Sequence, residues 1–443
     1  MTPSNALVVG LGVTGRAVGR ALVRRGAIVH AVEDRPQDAH RRYADEVGVT
    51  LTEAPDEAAL RALLGEVELL LPSPGVPDRH PVFALAAAAG VPIRSEFDLA
   101  AEWDDRPVVA VTGTNGKTTV THLTADMLRR DGRVVAEAGN VATPLVEAID
   151  DPAVEVFVVE ASSFRLGHTA HWAPEVAAWL NFAPDHLDVH ADLAHYEAAK
   201  ARIWADQGSD DVAVVNADDP VVAAHRGRAR RRTFGFSGEE SATVRDGRLV
   251  VDDHPLIAVA DLRRGLHHDQ ANALAAALMA GAVGAGDDAV TAALISFDGL
   301  PHRVQLVGER GGVGWYDDSK ATTPHATRAA VEAFASVVLI AGGRNKGIDL
   351  RDLLGAEDTV RAVVAIGEAA DDVVGAVGGR VPVERAGSMA EAVAVADALA
   401  HPGDVVVLSP GCASFDWYSS YAERGDDFAR LVRIHLDREA AQP

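Results

Sequence analysis

Cysteine and aromatic residues are scarce in this sequence. Cys412 is the only cysteine among 443 residues, and phenylalanine, tryptophan and tyrosine together make up 5% of the chain. One cysteine cannot form an intrachain disulfide, and a lone thiol is typical of a reducing compartment. We therefore expect a cytoplasmic protein without a disulfide framework.

Apolar runs long enough to cross a membrane are also missing. Stretches such as 362–366 and 405–408 have the length of a strand, whereas a membrane-spanning helix needs about 20 apolar residues. The N-terminus shows no basic region followed by an apolar segment, so no signal peptide is predicted. We expect no membrane partner.

Basic residues are outnumbered by acidic ones, 41 against 65, which gives a formal net charge of -24. A charge of this sign repels nucleic acids and anionic membranes, so we expect small molecules as partners. Apolar residues make up 48% and charged residues 24%, as is usual for folded domains. A chain of this length exceeds what one core serves, and two to four domains are expected.

Short valine-rich runs alternate with helical patterns along the chain. Such runs are typical of strands that are buried on both faces of a parallel sheet and joined by crossover helices. The predicted fold class is therefore α/β, with an alanine-rich helix at 272–295. The predicted strands lie at 6–9, 28–32, 68–71, 108–111, 156–159, 212–215, 314–316, 337–340, 362–366 and 405–408.

Two breaks divide this pattern into three domains. An acidic stretch with a proline, at 103–107, precedes a new strand and a new glycine loop, and Gly299-Leu300-Pro301 ends the alanine-rich run. We predict an N-terminal Rossmann-like domain over residues 1–105 and a central mononucleotide-binding domain of the phosphate-loop type over 106–298. A C-terminal Rossmann-like domain is predicted over 299–443.

A glycine-rich loop lies between the predicted strand 108–111 and an apolar-periodic helix. In this position main-chain N–H groups, the helix N-terminus and a lysine can surround phosphate, and a threonine hydroxyl can hold Mg²⁺. The general phosphate-loop pattern expects a glycine where this chain has Val111, so a strand–helix turn without a ligand is the alternative. The candidate phosphate-binding residues are Gly113, Thr114, Asn115, Gly116, Lys117, Thr118 and Thr119.

Polar residues follow other predicted strands of the central domain. Glu160 comes directly after the run 156–159, at the end of a parallel strand where ligands gather and where a carboxylate can reach Mg²⁺. His186 and His190 stand at i and i+4, a spacing that could serve zinc on a helix, but no zinc-protease glutamate or nearby cysteine accompanies them. Magnesium is therefore the preferred metal.

A second glycine loop lies near the N-terminus. Gly10, Gly12 and Gly15 follow the first predicted strand, and Glu33 and Asp34 end the next one, as in the fingerprint of dinucleotide-binding folds. Glycines at these positions admit a pyrophosphate, and the acidic residue can bind a ribose. The pattern alone leaves open an NAD(P)-dependent oxidoreductase, although no hydride-transfer site is apparent.

Six segments, in order along nearly the whole chain, resemble the Mur ligases of peptidoglycan precursor synthesis. They are TGTNGKTT at 112–119, EASSFRL at 160–166, NFAPDHLDVH at 181–190, LPHR at 300–303, DDSKAT at 317–322 and SPGCASFD at 409–416. The resemblance implies domains that bind, in order, a UDP-linked substrate, ATP and an amino acid. It also implies that ATP phosphorylates a carboxylate and that an amino group then displaces phosphate.

The resemblance further implies which residues contact ATP and magnesium. Lys117 and the loop amides would bind the ATP phosphates, and Thr118 and Glu160 would help to hold one Mg²⁺. A second Mg²⁺ would be held by His186 and by Lys200, if Lys200 is carbamylated by CO₂. The remaining implied contacts are Asn272 with adenine, Arg303 with phosphate, and Asp318 and Lys320 with nucleotide or acyl phosphate when the domains close.

The implied substrates are UDP-N-acetylmuramoyl-L-alanine and D-glutamate, with L-glutamate or another amino acid as the alternative acceptor. Folylpolyglutamate synthases share the ligase architecture but lack a separate uridine-nucleotide domain, so residues 1–102 argue against them. A monomer is expected. The implied substrate contacts are Thr14, Asp34, Ser73 and Gly75 for the uridine diphosphate, Asn140 as a further contact, and Thr322, Lys346, Ser414, Phe415 and Tyr421 in the amino-acid domain.

Overall fold

Three β-sheets with flanking helices form the architecture. The computed structural model describes residues 2–186, 189–345, 347–354 and 359–440, which fall into two compact units. The first unit runs up to Gly265 and includes Asp269–Phe297; the second contains Leu266–His268 and the chain from Asp298 onward. The first unit holds two of the sheets, and the second holds the third.

The first sheet is parallel, and both of its faces are covered by helices. Its strands are β1 Asn5–Val9, β2 Ile28–Glu33, β3 Thr50–Glu53 and β4 Leu69–Pro72, in the order β3-β2-β1-β4. The helices are α1 Val13–Arg24, α2 Asp38–Val47, α3 Glu57–Leu64, α4 Pro81–Ala89 and α5 Glu96–Trp103. Along β1, Ala6 and Val8 belong to one apolar core and Leu7 and Val9 to the other. This alternation explains why the strand reads as a continuous apolar run.

The central sheet has nine strands in the order β13-β12-β11-β10-β9-β8-β5-β7-β6. The strands are β5 Val108–Thr112, β6 Val135–Gly139, β7 Val156–Glu160, β8 Val176–Trp179, β9 Val212–Asn216, β10 Arg230–Phe234, β11 Ala242–Arg245, β12 Arg248–Val251 and β13 His254–Ala258. The helices are α6 Lys117–Arg130, α7 Leu145–Ala148, α8 Ser163–Leu166, α9 Leu193–Ala201, α10 Pro220–Ala224, α11 His267–Ala282 and α12 Asp287–Ser296. Short 3-10 helices occupy Arg202–Trp204 and Val259–Asp261.

The second unit contains a six-stranded sheet in the order β14-β15-β19-β16-β17-β18. Its strands are β14 Gln305–Arg310, β15 Val313–Asp317, β16 Val337–Gly342, β17 Val360–Ile366, β18 Val383–Ala386 and β19 Val405–Gly411. Its helices are α13 Pro324–Val331, α14 Ala370–Val377, α15 Met389–Leu399 and α16 Tyr421–Ala440, with a 3-10 helix at Leu350–Leu354. Across the described residues of both units, no helix combines the length and apolarity needed to cross a membrane.

The predicted α/β class is confirmed, and each predicted strand coincides with an observed one to within two or three residues at its ends. The alanine-rich run 272–295 was wrong as a single helix. The structure ends α11 at Ala282 and begins α12 at Asp287, because Gly284 turns the chain at a φ of 91° and Gly286 takes an extended N-cap conformation. Nine strands of the described residues lie outside the predicted ones: β3, β6, β8, β10, β14, β18 and the antiparallel edge β11-β12-β13. The edge strands have four or five residues each, and runs this short give a weak periodic signal.

The N-terminal glycine loop depends on close packing between α1 and the end of β1. A Cβ atom added to Gly15 would lie 1.9 Å from the carbonyl oxygen of Gly10 and 2.5 Å from Oγ of Ser73. Gly10 itself has a φ of 82°, a conformation that glycine adopts without steric cost. The loop therefore requires glycine at both positions for different reasons.

We predict that Gly15→Ala destabilises the first unit, because the added methyl group forces the helix away from the loop. Overpacking of this kind costs typically about 1–3 kcal/mol in the free energy of unfolding, which thermal melting followed by circular dichroism would measure.

Gly12→Ala is the matched control in the same loop. A Cβ at Gly12 meets nothing within 4 Å, and its φ of -63° suits any residue. The expected cost is at most about 1 kcal/mol, from the preference for glycine over alanine at an N-cap. Equal melting temperatures for the two variants would contradict this account of the packing.

Candidate active site

The glycine-rich loop after β5 wraps around a lysine. Gly113 and Gly116 have φ values of 157° and 83°, and α6 begins at Lys117. The Lys117 Nζ donates to the carbonyl oxygens of Gly113 at 2.8 Å and Thr114 at 2.9 Å. Main-chain N–H groups at the start of α6 and the Lys117 ammonium thus form a cradle suited to phosphate.

Asn272 from α11 lies against this loop. A Cβ on Gly116 would lie 2.6 Å from the Oδ1 of Asn272. Glycine at this position therefore lets the loop backbone approach the Asn272 side-chain amide closely. Thr119 on α6 and Asn272 also line a small cavity of about 20 Å³. Thr118, the second residue of α6, follows Lys117 directly. The structure therefore brings Asn272 together with the candidate phosphate-binding residues.

The segment that follows β8 fixes the loop from the other side. Oδ1 of Asn181 accepts from the main-chain N–H of Asn115 at 2.8 Å, and Nδ2 of Asn181 donates to the Asn115 carbonyl at 3.2 Å. Oγ1 of Thr114 accepts from the N–H of Ala183 at 3.0 Å and lies 3.2 Å from the hydroxyl of Tyr196. These bonds hold the loop in shape before any ligand arrives.

Lys200 is buried against the same loop. It is 1% exposed, its Nζ donates to the Gly113 carbonyl at 2.7 Å, and it lies 4.6 Å above the ring of Tyr196. Burial, together with the nearby charge of Lys117, lowers the pKa of Lys200 well below its ordinary value. An unprotonated amine is the form that can react with CO₂, so the surroundings suit the predicted carbamylation.

Glu160 ends β7, whose register places it beside Val111 of β5. It is 2% exposed, and its Oε1 accepts from Nδ2 of Asn140 at 2.8 Å. Its Oε2 is buried and has no hydrogen-bond partner among the described residues. Because a buried carboxylate oxygen without a partner is costly, this atom fits a cation ligand.

A magnesium ion at Glu160 would need oxygens other than carboxylates to complete its ligands. Within the described ranges, no group of three or more His, Cys, Asp or Glu side chains forms a metal cluster. The hydroxyl of Thr118 and phosphate oxygens of a bound nucleotide are hard ligands of the kind that Mg²⁺ takes. The donor set is therefore compatible with a nucleotide-bound Mg²⁺.

The two candidate histidines have different surroundings. His186 has a φ of 56°, and its ring lies 4.7 Å from Phe164, edge to face, with Nε2 3.3 Å from Asp185. His190 is buried, with Nε2 3.0 Å from Oγ of Ser163 and Nδ1 3.3 Å from Asp78 of the first sheet's domain. His190 therefore has a structural role, and His186 is the one left as a candidate ligand.

A cleft of about 610 Å³ lies at the carboxyl ends of β1, β2 and β4. Glu33 accepts from the main-chain N–H groups of Leu11 and Arg35 and so supports the cleft wall. Asp34 remains 56% exposed, with Oδ2 3.1 Å from Nε2 of His80, and is open to a ligand. The cleft lining includes the four residues expected to contact the uridine diphosphate, Thr14, Asp34, Ser73 and Gly75, and also the further expected substrate contact Asn140.

Arg165 on α8 also lines this cleft, although the sequence did not mark it as a site residue. Its guanidinium donates to Oε1 of Glu96 at 2.8 Å, to Oδ1 of Asn140 at 3.0 Å and to Oγ1 of Thr14 at 2.9 Å. Glu96 is fully buried, which raises its pKa, whereas the charge of Arg165 lowers it. These contacts connect the first sheet to the central one.

Asp318 is the buried acidic group of the second unit. Its Oδ2 accepts from Oγ of Ser409 at 2.7 Å and its Oδ1 from the N–H of Val304 at 3.2 Å. Burial raises the pKa of Asp318 to about 7, while the nearby charge of Arg303 opposes this shift. Arg303 and Asp318 are therefore neighbours, and the Asp318 carboxyl can exist in either protonation state near neutral pH.

The remaining predicted residues that are described in the second unit follow the carboxyl ends of β15 and β19 in the chain. The Lys320 Nζ lies 3.8 Å above the ring of Tyr421, Ser414 is buried and Phe415 is 60% exposed. Thr322 is half-buried. Lys346 lies outside the described residues.

All lysines of the chain are among the predicted site residues. They are Lys117, Lys200, Lys320 and Lys346, and every other basic side chain is arginine or histidine. Lysine is distinguished from arginine by a pKa that shifts readily on burial.

Three residues with extensive contacts in the sites were missed as candidates. Tyr196 stands four residues before Lys200 on α9, and this spacing on one helix face was a usable signal. Asn181 is the first residue of the segment 181–190 that resembles the Mur ligases, but its hydrogen bonds with the loop depend on the fold. Arg424 is 1% exposed and bonds Ser319 and the Cys412 carbonyl; no sequence pattern indicated it.

Family models match the chain in three consecutive segments. The N-terminal domain of MurD-like Mur ligases matches residues 4–95, the Mur ligase middle domain matches 111–280, and the glutamate ligase domain of Mur ligases matches 302–412. The phosphate loop, Glu160 and Lys200 all lie in the middle segment.

Similar proteins cover nearly the whole chain. A UDP-N-acetylmuramoylalanine–D-glutamate ligase of Frankia casuarinae is 44% identical over 442 residues, with 96% of this chain and 93% of the relative covered. A ligase of the same name from Rubrobacter xylanophilus is 41% identical, with 96% and 97% covered.

Among solved structures, MurF from Acinetobacter baumannii is similar in fold, with a TM-score of 0.60 at 19% identity, covering 97% of this chain and 90% of that one. MurC from Thermotoga maritima has a TM-score of 0.57 at 18% identity, with 97% and 99% covered. Domain matches, full-length relatives and shared fold agree that this chain belongs to the Mur ligase family.

Proposed function

We propose that this chain is an ATP-dependent ligase that joins D-glutamate to the carboxylate of UDP-N-acetylmuramoyl-L-alanine, in peptidoglycan precursor synthesis. One observation carries the proposal: Asn140 lines the cleft of the first sheet while its amide holds Glu160 beside the strand that leads into the phosphate loop. The proposed site for a nucleotide-linked substrate would thus be in direct contact with the proposed site for ATP phosphates. The names of the full-length relatives supply the substrates.

The proposed reaction has two steps. A carboxylate oxygen of the precursor attacks the γ-phosphorus of ATP in line, the bond to the β–γ bridging oxygen breaks, and ADP leaves. The amine of glutamate then attacks the acyl carbon, loses a proton, and inorganic phosphate leaves as the amide forms. Lys117 and the loop N–H groups offset the negative charge that builds on the transferred oxygens.

Magnesium is proposed as the cofactor, with two Mg²⁺ ions as the family resemblance implies. It would supply electrostatic stabilisation of the phosphate oxygens. Glu160 and Thr118 would hold the first ion, which the bare Oε2 of Glu160 supports. His186 and a carbamate on Lys200 would hold the second. The neutral amine of Lys200 would attack CO₂ and lose a proton, which replaces a buried amine by an anionic oxygen ligand.

The second unit is proposed to serve the later part of the reaction. Arg303, Asp318 and Lys320 would contact nucleotide or acyl phosphate, and the position of Lys320 over Tyr421 keeps its ammonium in place. The acceptor amino acid, D-glutamate, would be held by Thr322, Lys346, Ser414, Phe415 and Tyr421. Asn272 would contact the adenine of ATP. Thr322, Ser414, Phe415 and Tyr421 support this role because they follow the carboxyl ends of β15 and β19. L-glutamate is the alternative acceptor to test.

The domain boundaries at 105/106 and 298/299 remain proposals, as do the monomeric state and the cytoplasmic location. The lone cysteine, Cys412, is buried, and a thiol of this kind suits a reducing compartment. The same loop glycines would serve NAD(P), but the family match does not favour that reading. A uridine nucleotide is therefore the proposed ligand of the cleft.

The decisive assay measures phosphate release from ATP and Mg²⁺ with UDP-N-acetylmuramoyl-L-alanine, in the presence of D-glutamate, L-glutamate or no amino acid. We expect release that requires both the precursor and D-glutamate. Release with L-glutamate but not with D-glutamate would change the proposed acceptor amino acid and leave the proposed ligase reaction unchanged. No release with any amino acid would refute the proposed reaction.

We predict that Lys117→Ala reduces kcat at least tenfold, which corresponds to about 1.4 kcal/mol of transition-state stabilisation, because the loop loses its positive charge. Phosphate release at saturating substrates would measure the effect. Arg130→Ala, at the other end of α6, removes a partly exposed charge paired with Asp126 and should leave kcat within twofold. A Lys117→Ala variant that keeps more than a tenth of kcat would contradict the role.

We also predict that Lys200 carries CO₂. With ¹³CO₂, the wild type should show a carbamate resonance in ¹³C NMR that Lys200→Ala lacks and Lys320→Ala retains. Because the chain has only four lysines, the assignment is direct. Lys200→Ala should be nearly inactive and partly restored by acetate or formate, once circular dichroism has shown that it folds. Absence of both the resonance and the rescue would exclude the carbamate.

A further inference from the structure

The Arg165 guanidinium touches both halves of the site in the first unit. It is 7% exposed, and all three of its nitrogens are engaged, by Glu96, Asn140 and Thr14. Glu96 is itself anchored by the main-chain N–H of Val146 at 3.2 Å. A buried ion pair fixed at both ends holds the guanidinium plane in one orientation.

This orientation determines how the Asn140 amide is turned. An arginine has only N–H donors, so the atom of Asn140 that faces it must be the oxygen. The Nδ2 of Asn140 therefore has to face Glu160, where it donates to Oε1 at 2.8 Å. Without Arg165 only the Glu160 carboxylate orients the amide, so the side chain of Asn140 is held at one end instead of two.

Thr14 is oriented by the same group. Its Oγ1 accepts from Nη2 of Arg165 at 2.9 Å, which leaves the hydroxyl proton of Thr14 available to an acceptor. Thr14 lines the cleft next to the glycine loop, where an acceptor would be a phosphate oxygen. One cation thus makes Thr14 a donor on the cleft side and Asn140 a donor on the Glu160 side.

We propose that Arg165 is a positioning residue that joins the nucleotide cleft to the cation-binding carboxylate: it aims the Thr14 hydroxyl at the substrate pyrophosphate and, through Asn140, keeps Oε2 of Glu160 directed at Mg²⁺. The proposal rests on the proposed ligase function. It predicts that substrate affinity and metal affinity fall together when Arg165 is changed, although the substrate would contact Thr14 and the metal would contact Glu160.

The test uses Arg165→Lys and the double variant Glu96→Gln/Arg165→Met. Lysine keeps a positive charge beside Glu96, but its single nitrogen cannot occupy the three positions from which the guanidinium bonds Glu96, Asn140 and Thr14. The double variant removes both buried charges, and the glutamine that replaces Glu96 can still accept from the N–H of Val146, so neither form leaves an unpaired buried ion. Melting temperatures close to the wild type would show that both variants fold.

Three readouts are compared. The half-saturating Mg²⁺ concentration in phosphate release should rise roughly 10- to 100-fold, as for changes in groups that orient metal ligands. Mn²⁺ binding in the presence of ADP, followed by electron paramagnetic resonance, should weaken by a similar factor without any turnover. The increase in melting temperature caused by the UDP precursor alone should shrink in the same variants.

Arg106→Lys is the matched control, because Arg106 is another arginine of the first unit, paired with Asp104 and bonded to the carbonyls of Ile149, Asp151 and Val154. It should change none of the three readouts. If Arg165→Lys binds Mn²⁺ and the precursor as the wild type does, the positioning role is wrong and Arg165 only neutralises Glu96. A wild type that binds Mn²⁺ with ADP but releases no phosphate with the precursor would instead refute the ligase proposal.

Discussion

The carbonyl oxygen of Gly113 accepts hydrogen bonds from two lysine side chains, and the arrangement of the central site follows from this contact. Lys117 reaches it from the start of α6, and Lys200 reaches it from α9. Two ammonium groups so close together repel each other unless one is neutral or anions lie nearby. The depressed pKa of Lys200 and the buried carboxylate of Glu160 provide both conditions.

The positive charge of the chain is divided unevenly between lysine and arginine. The protein is strongly acidic overall, with 65 acidic and 41 basic residues, yet the phosphate loop needs local positive charge. Its lysines are confined to candidate site positions, and arginine supplies the rest of the positive charge. The net charge repels a ligand rich in phosphate, so its binding depends on local positive charge such as that of the phosphate loop.

A buried ion pair is one of the contacts between the first and central sheets. A buried pair such as Glu96 and Arg165 is weak evidence for stability, because desolvation offsets much of the attraction. Its value here lies in geometry, since a fixed guanidinium orients Thr14 and Asn140. The desolvation cost of the pair is therefore associated with the orientation of site residues, and the pair need not stabilise the fold.

The sequence by itself determined the α/β class, most buried strands and the candidate residues of the phosphate loop. It could do so because strands buried on both faces need continuous apolar runs, and because phosphate loops require glycines and a lysine at fixed local spacings. It could not divide the alanine-rich run at Gly284, where one backbone conformation outweighs helix propensity. Only the tertiary structure decided the partners of Arg165, the bare oxygen of Glu160 and the burial of Lys200. Those properties arise from side chains far apart along the chain, whose contacts have no local periodicity to reveal them.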